Sequence, residues 1–120
     1  MITQRKIIIP IFEFRLTIVI FDDWSELERF LTPEEFQYES RAVTISTHGS
    51  ALVAVNSKRG SSIVHEAGHI KNAIWRYIGY TPMRDNDEVD QYLVTYIYNK
   101  IVDVFYKHNN IKDNLMRDTI

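Results

Sequence analysis

The stretch His65-Glu66-Ala67-Gly68-His69 constrains this chain more than any other, because its two histidines can act together only if the backbone carrying them is helical. On an α-helix, residues four apart lie one above the other on one face, so His65 and His69 can offer two imidazoles to one metal ion. Glu66 lies beside that face. It is placed to take a proton from a metal-bound water, the role of the glutamate in the HExxH pattern.

The flanking residues supply such a helix. Asn56-Ser57-Lys58-Arg59-Gly60 reads as a polar loop, Ser61 or Ser62 as the N-cap, and Gly79 as a left-handed stop after a helix running to Ile78. Gly68 is unusual inside it, since glycine costs about 1 kcal/mol relative to alanine in a helix interior, and close approach of another segment would account for it.

Upstream the period changes to two. Over residues 11–21, Phe12, Phe14, Leu16, Ile18 and Ile20 alternate with Glu13, Arg15, Thr17 and Val19, which predicts a strand with one buried face and Pro10 at its start. Asp22-Asp23 can cap a short helix over 24–31, and Thr32-Pro33-Glu34-Glu35 reads as a second helix start. Residues 42–47 and 51–55 are β-like runs separated by His48-Gly49-Ser50, a hairpin signal. After a connector at 81–86, Asn86 or Asp87 can open a long last helix. Val89, Leu93, Tyr96, Ile97, Ile101, Val104 and Phe105 hold helical spacing to about Lys107, and 109–120 reads as a loosely packed tail.

The expected fold class is therefore α+β: about three strands, largely antiparallel, packed on the HExxH helix and a long C-terminal helix. With 120 residues the chain reads as one domain, with its core over about 7–107 and about two-thirds of the unfolded surface buried. A net charge of −2 argues against nucleic acid as a partner. The longest apolar run, residues 7–21, is interrupted by Pro10, Glu13 and Arg15 and is too short and too polar to span a membrane. The count of zero cysteines rules out disulfides and thiolate ligands, so a metal must be held by His, Asp and Glu. With no cleavable signal pattern at the start, a cytoplasmic protein is expected.

A catalytic zinc usually takes three protein ligands and a water. The downstream candidates are Asp85, Asp87, Glu88, Asp90 and His108. Glu88 is the first choice, because a hairpin of two helices can carry its carboxylate over the metal-facing side of the first; Asp87 is its nearest rival. His48, at a hairpin tip, and His108, near a helix end, read as plain surface positions.

The order of a strand ending in Phe21-Asp22-Asp23, a hairpin, the HEAGH helix and Asp85-Asn86-Asp87-Glu88 leading into Tyr92-Leu93 resembles small phage and prophage proteins that look like minimal zincins of the gluzincin type. The resemblance covers about residues 7–105. It implies a zincin-like domain binding Zn²⁺ through His65, His69 and Glu88, since in gluzincins the third ligand is a glutamate on the following helix. Where those enzymes often carry an aspartate four residues after that glutamate, this chain has Tyr92, whose hydroxyl could take the aspartate's second-shell place without its charge. Tyr77 and Tyr80 are candidates for bonding a developing oxyanion, as a Tyr or His does in that family. The resemblance implies a zinc metallopeptidase acting on a peptide or protein substrate, with Glu66 as general base, in the host bacterial cytoplasm if phage-encoded. The alternative is a phage protein keeping a zincin fold for binding or assembly, with structural zinc or none. Residues 51–55 are expected to offer an edge strand to an extended peptide.

Overall fold

A computed structural model of the chain describes residues 1–32 and 42–118, with side chains to Asp113. Pro33, Glu34 and Glu35 of the expected second helix start lie outside the described residues. The strands are β1 (Ile2–Ile9), β2 (Phe14–Phe21), β3 (Ala42–Thr47) and β4 (Ser50–Asn56), and the helices are α1 (Ile63–Ile78) and α2 (Glu88–Asp118). The strands form one sheet in the order β1-β2-β4-β3. The α+β class holds, but the sheet has four strands and is mixed, because β2 pairs in parallel with β4 while β1·β2 and β3·β4 are antiparallel.

The additional strand, β1, shows why alternation alone did not reveal it. Its run Ile-Thr-Gln-Arg-Lys-Ile-Ile-Ile lies at the sheet edge, and only Ile9 is fully buried, so little hydrophobic period is needed. β2 begins at Phe14 rather than at residue 11. Ile11 (φ 73°) and Glu13 (φ 52°) turn the chain in the left-handed region, and Pro10 follows β1 instead of opening β2. Val19, expected on the open face, is buried, since that face carries its own small core of Val19, Phe21, Leu27, Leu31 and Ala54. The helix expected over 24–31 is a single 3-10 turn at Trp24–Leu27. Asp23 caps it in a capping box with Glu26.

The main core lies on the opposite face, where Phe14, Leu16, Ile18, Ile20, Val53 and Val55 meet Ile63, Ala67, Ile70 and Ile74 of α1 and Ile97, Ile101 and Val104 of α2. The expected hairpin is present, with His48-Gly49 as its two-residue turn between the paired Thr47 and Ser50, and Gly49 at φ 91°. α1 ends as expected at Gly79, φ 74°, with the amide of Tyr80 returning to Trp75 O at 2.9 Å.

α2 does not stop near Lys107. It runs on because its last turns are tied to the sheet: His108 is wholly buried, with Nε2 donating to Asp22 Oδ1 (3.0 Å) and Nδ1 meeting the Thr3 hydroxyl (2.8 Å). Asn109 adds a bond to Ser57 O, and Lys112 reaches Asp22. The surface position expected for His108 is thus wrong, because Thr3 of β1 and Asp22, just past the end of β2, lie where solvent was expected. Among the described residues no helix is long and apolar enough to cross a membrane.

Candidate metal centre

α1 sits on the sheet with three flanks of different neighbours. Ile63, Ala67, Ile70 and Ile74 face the core, and Lys71 and Trp75 face α2 through Asp90. Glu66 lies on the third flank, against Thr44 of β3. His65 and His69 are exposed on the outer side of that flank, as the helical step of about 100° per residue requires.

The two imidazoles approach closely. Nε2 of His65 and Nε2 of His69 are 3.0 Å apart, with the rings nearly perpendicular at 87° and their centroids 4.5 Å apart. Two nitrogens each about 2.05 Å from one tetrahedral zinc would lie about 3.3 Å apart, so the pair is close to the spacing a shared ion demands. Without an ion, one of the two must hold a proton between them, or their lone pairs repel.

Glu66 is the unusual member. The residue is only 5% exposed, and among the described residues its Oε2 and Thr44 Oγ1 have no partner of good hydrogen-bond geometry, although the Thr44 hydroxyl lies near enough to the carboxylate to lower its pKa. A buried carboxylate left with an unsatisfied oxygen is costly, and natural structures seldom keep one without a use for it. Burial pushes its pKa above the usual carboxylate value, while His69, His65 and the nearby Thr44 hydroxyl pull it partly back. The donor atoms of His65, Glu66 and His69 all lie within 4.8 Å of one another, a set of two imidazoles and one carboxylate that suits a borderline cation such as zinc. The orphaned oxygen and the near-correct nitrogen spacing both fit such an ion.

Of the other expected site residues, the structure brings none to this cluster. Glu88 is exposed in the first turn of α2, and Asp87 is exposed one residue before it. The carboxylate of this segment that turns inward is Asp90: its Oδ1 accepts from Trp75 Nε1 at 2.6 Å and its Oδ2 pairs with Lys71 at 3.1 Å. Because Asp90 docks on Lys71 and Trp75, the start of α2 lies against a flank about 120–160° around α1 from His69. Tyr92 is 72% exposed and rims an apolar pocket with Phe12, Trp75 and Leu93, on that same flank. Tyr80 lies against Trp75 there, centroids 4.6 Å apart and the rings tilted by 50°. Tyr77 shares the Glu66 flank, but two turns beyond His69 and against His48. A side chain placed at Gly68 would meet nothing within 4 Å among the described residues, so none of their segments approaches closely there.

β4 lies between β2 and β3 and so offers no free edge. Among the described residues the edge beside α1 belongs to β3. Thr44, which lies beside Glu66, escaped sequence reasoning, although the alternation of β3 puts Ala42, Thr44 and Ser46 on one face. Comparison with family models, curated proteins and solved structures finds no match for this chain.

Proposed function

We propose that the protein is a zinc-dependent peptide hydrolase in which His65 and His69 hold the metal and Glu66 is the general base, a role that leaves two protein ligands among the described residues rather than the usual three. The observation that carries this reading is the buried Glu66 carboxylate, with its Oε2 lacking a well-aligned hydrogen bond among the described residues, beside two imidazoles 3.0 Å apart. Zinc bound there supplies Lewis acidity, lowering the pKa of a water and polarising a carbonyl.

Glu66 takes a proton from the attacking water as the oxygen adds to the scissile carbon, and returns it to the amine as the C–N bond breaks. A raised pKa suits both transfers, because the group then loses and regains a proton nearer neutral pH. The edge of β3 lies alongside, where an extended peptide can pair by main-chain hydrogen bonds. Zinc content and peptide cleavage measured on the wild type and Glu66→Gln test the reading. Retained zinc with lost cleavage is expected, and a wild type purified without chelators that holds no zinc would end the account.

A second reading is favoured by one observation. Among the described residues Glu66 is the only carboxylate beside the pair, so it can instead serve as the third ligand of a structural ion in a binding or assembly protein. In that case Glu66→Gln would lose the metal rather than keep it.

A further inference from the structure

Two helical turns beyond His69, α1 and the end of β3 line a polar pocket of about 270 Å³, formed by Ser46, Thr47, His48, Ala73, Arg76 and Tyr77. It contains a cationic guanidinium, an imidazole and a phenol, and no carboxylate. The ion pairs among the described residues leave out Arg76. The pocket is also held in shape. Tyr77 is braced edge-on by His48 (centroids 4.6 Å apart) and by Phe14 (6.1 Å). The β3–β4 turn closes on its ring, so that a Cβ at Gly49 would come within 3.3 Å of it.

We infer that this pocket receives the carboxylate of an acidic side chain on the peptide lying along β3, with Arg76 as the residue that selects it. The inference rests on the hydrolase reading for the peptide's path and adds what the substrate must carry. A guanidinium presents paired N–H donors that match a carboxylate's two oxygens, and His48 and Tyr77 can add single bonds from the pocket wall.

The spacing also sets the position. Arg76 follows His69 by seven residues, about 10 Å along the helix axis, which an extended chain covers in about three residues. β3 runs in the same direction as α1, since Thr44 lies by Glu66 while Ser46 and Thr47 share the later pocket with Ala73 and Tyr77. A peptide pairing antiparallel to β3 therefore enters at Arg76 and reaches the histidines afterwards. In that direction the acidic residue stands about three positions before the bond to be cut, and in a peptide paired parallel to β3 about three positions after it.

The test uses the full chain with Glu66→Gln, so that peptides are held uncut, after zinc has been measured in the wild type. Labelled nonapeptides with blocked ends carry Glu, Gln or Lys at one scanned position, and a matched set carries no acidic residue but a free C-terminal carboxylate. Glu at a single position is expected to bind at least tenfold tighter than Gln. Arg76→Gln should erase that preference and Arg76→Glu should turn it towards Lys, both at an exposed site that leaves the fold intact. Equal binding of Glu and Gln everywhere, a preference that survives Arg76→Glu, a preference for the free C-terminus alone, or no binding overturns the inference. Absence of zinc in the wild type defeats the hydrolase reading separately, because the pocket contains none of the three residues of the donor cluster and its preference is read by binding.

Discussion

Asp90 Oδ1 accepts a hydrogen bond from Trp75 Nε1 at 2.6 Å, and this one contact fixes which flank of α1 the second helix covers. With Lys71 on the other oxygen, the buried carboxylate has a partner on each side. It pins the start of α2 away from His65 and His69, and leaves Glu88 in solvent.

Removing that anchor is expected to cost stability without touching the metal. Asp90→Ala leaves the indole N–H and the Lys71 ammonium without their partner, and breaking a largely buried charged hydrogen bond of this kind costs about 2–4 kcal/mol. Asp90→Asn keeps an acceptor for Trp75 and should lose less. Urea denaturation of the two variants measures the difference, and zinc content should match the wild type in both.

The two histidines and Glu88 separate cleanly by metal analysis. His65→Ala and His69→Ala are each expected to lose zinc, whereas Glu88→Ala should retain it, because its carboxylate stands outside the cluster of donors. Loss of zinc in Glu88→Ala would show that the start of α2 swings over the site.

Glu66 should destabilise the metal-free protein at neutral pH. Its folded pKa is raised chiefly by burial, so the stability present below the unfolded pKa is lost as pH rises through the folded value. Metal-free Glu66→Gln is therefore expected to melt higher than metal-free wild type at pH 7, with the gap closing below about pH 4, near the carboxylate's unperturbed range. Thermal melts in chelator at the two pH values test this.

Asp22 should act with the opposite sign. Burial would raise its pKa, but hydrogen bonds from Ser57 (2.6 Å), His108 (3.0 Å) and Lys112 (3.2 Å) outweigh it and hold the carboxyl well below its usual range. Its stabilisation is full above the unfolded value of about 3.9 and is lost as pH falls below that. In Asp22→Asn, urea midpoints between pH 5 and 2.5 should fall less steeply than in the wild type. Hydrogen exchange in the last turns of α2 should be faster at pH 7.

Ile11 holds a left-handed backbone at φ 73° with its side chain 92% exposed, so its strain is offset by no packing. A β-branched residue pays about 1–2 kcal/mol there and glycine almost none. Ile11→Gly should raise unfolding free energy by about 1 kcal/mol, net of the extra freedom glycine gains when unfolded. A denaturant midpoint no higher than the wild type would contradict the strain.

Much of this protein is written in local pattern. The HExxH spacing, Gly79 after Ile78 and His48-Gly49 between two apolar runs specify α1 and the β3–β4 hairpin, because caps, turns and helical faces depend on residues within one turn of each other. The pairing of His65 with His69 follows from the same short range.

What the sequence could not determine depends on partners far along the chain. β1 became a strand by pairing with β2, and α2 continued past Lys107 because Asp22, 86 residues before His108, waited at the sheet end. The third-ligand assignment turned on the same kind of distance. Glu88 and Asp90 differ by two residues on one helix, and only the tertiary contact with Trp75 and Lys71 decides which carboxylate faces inward and on which side of α1 it stands.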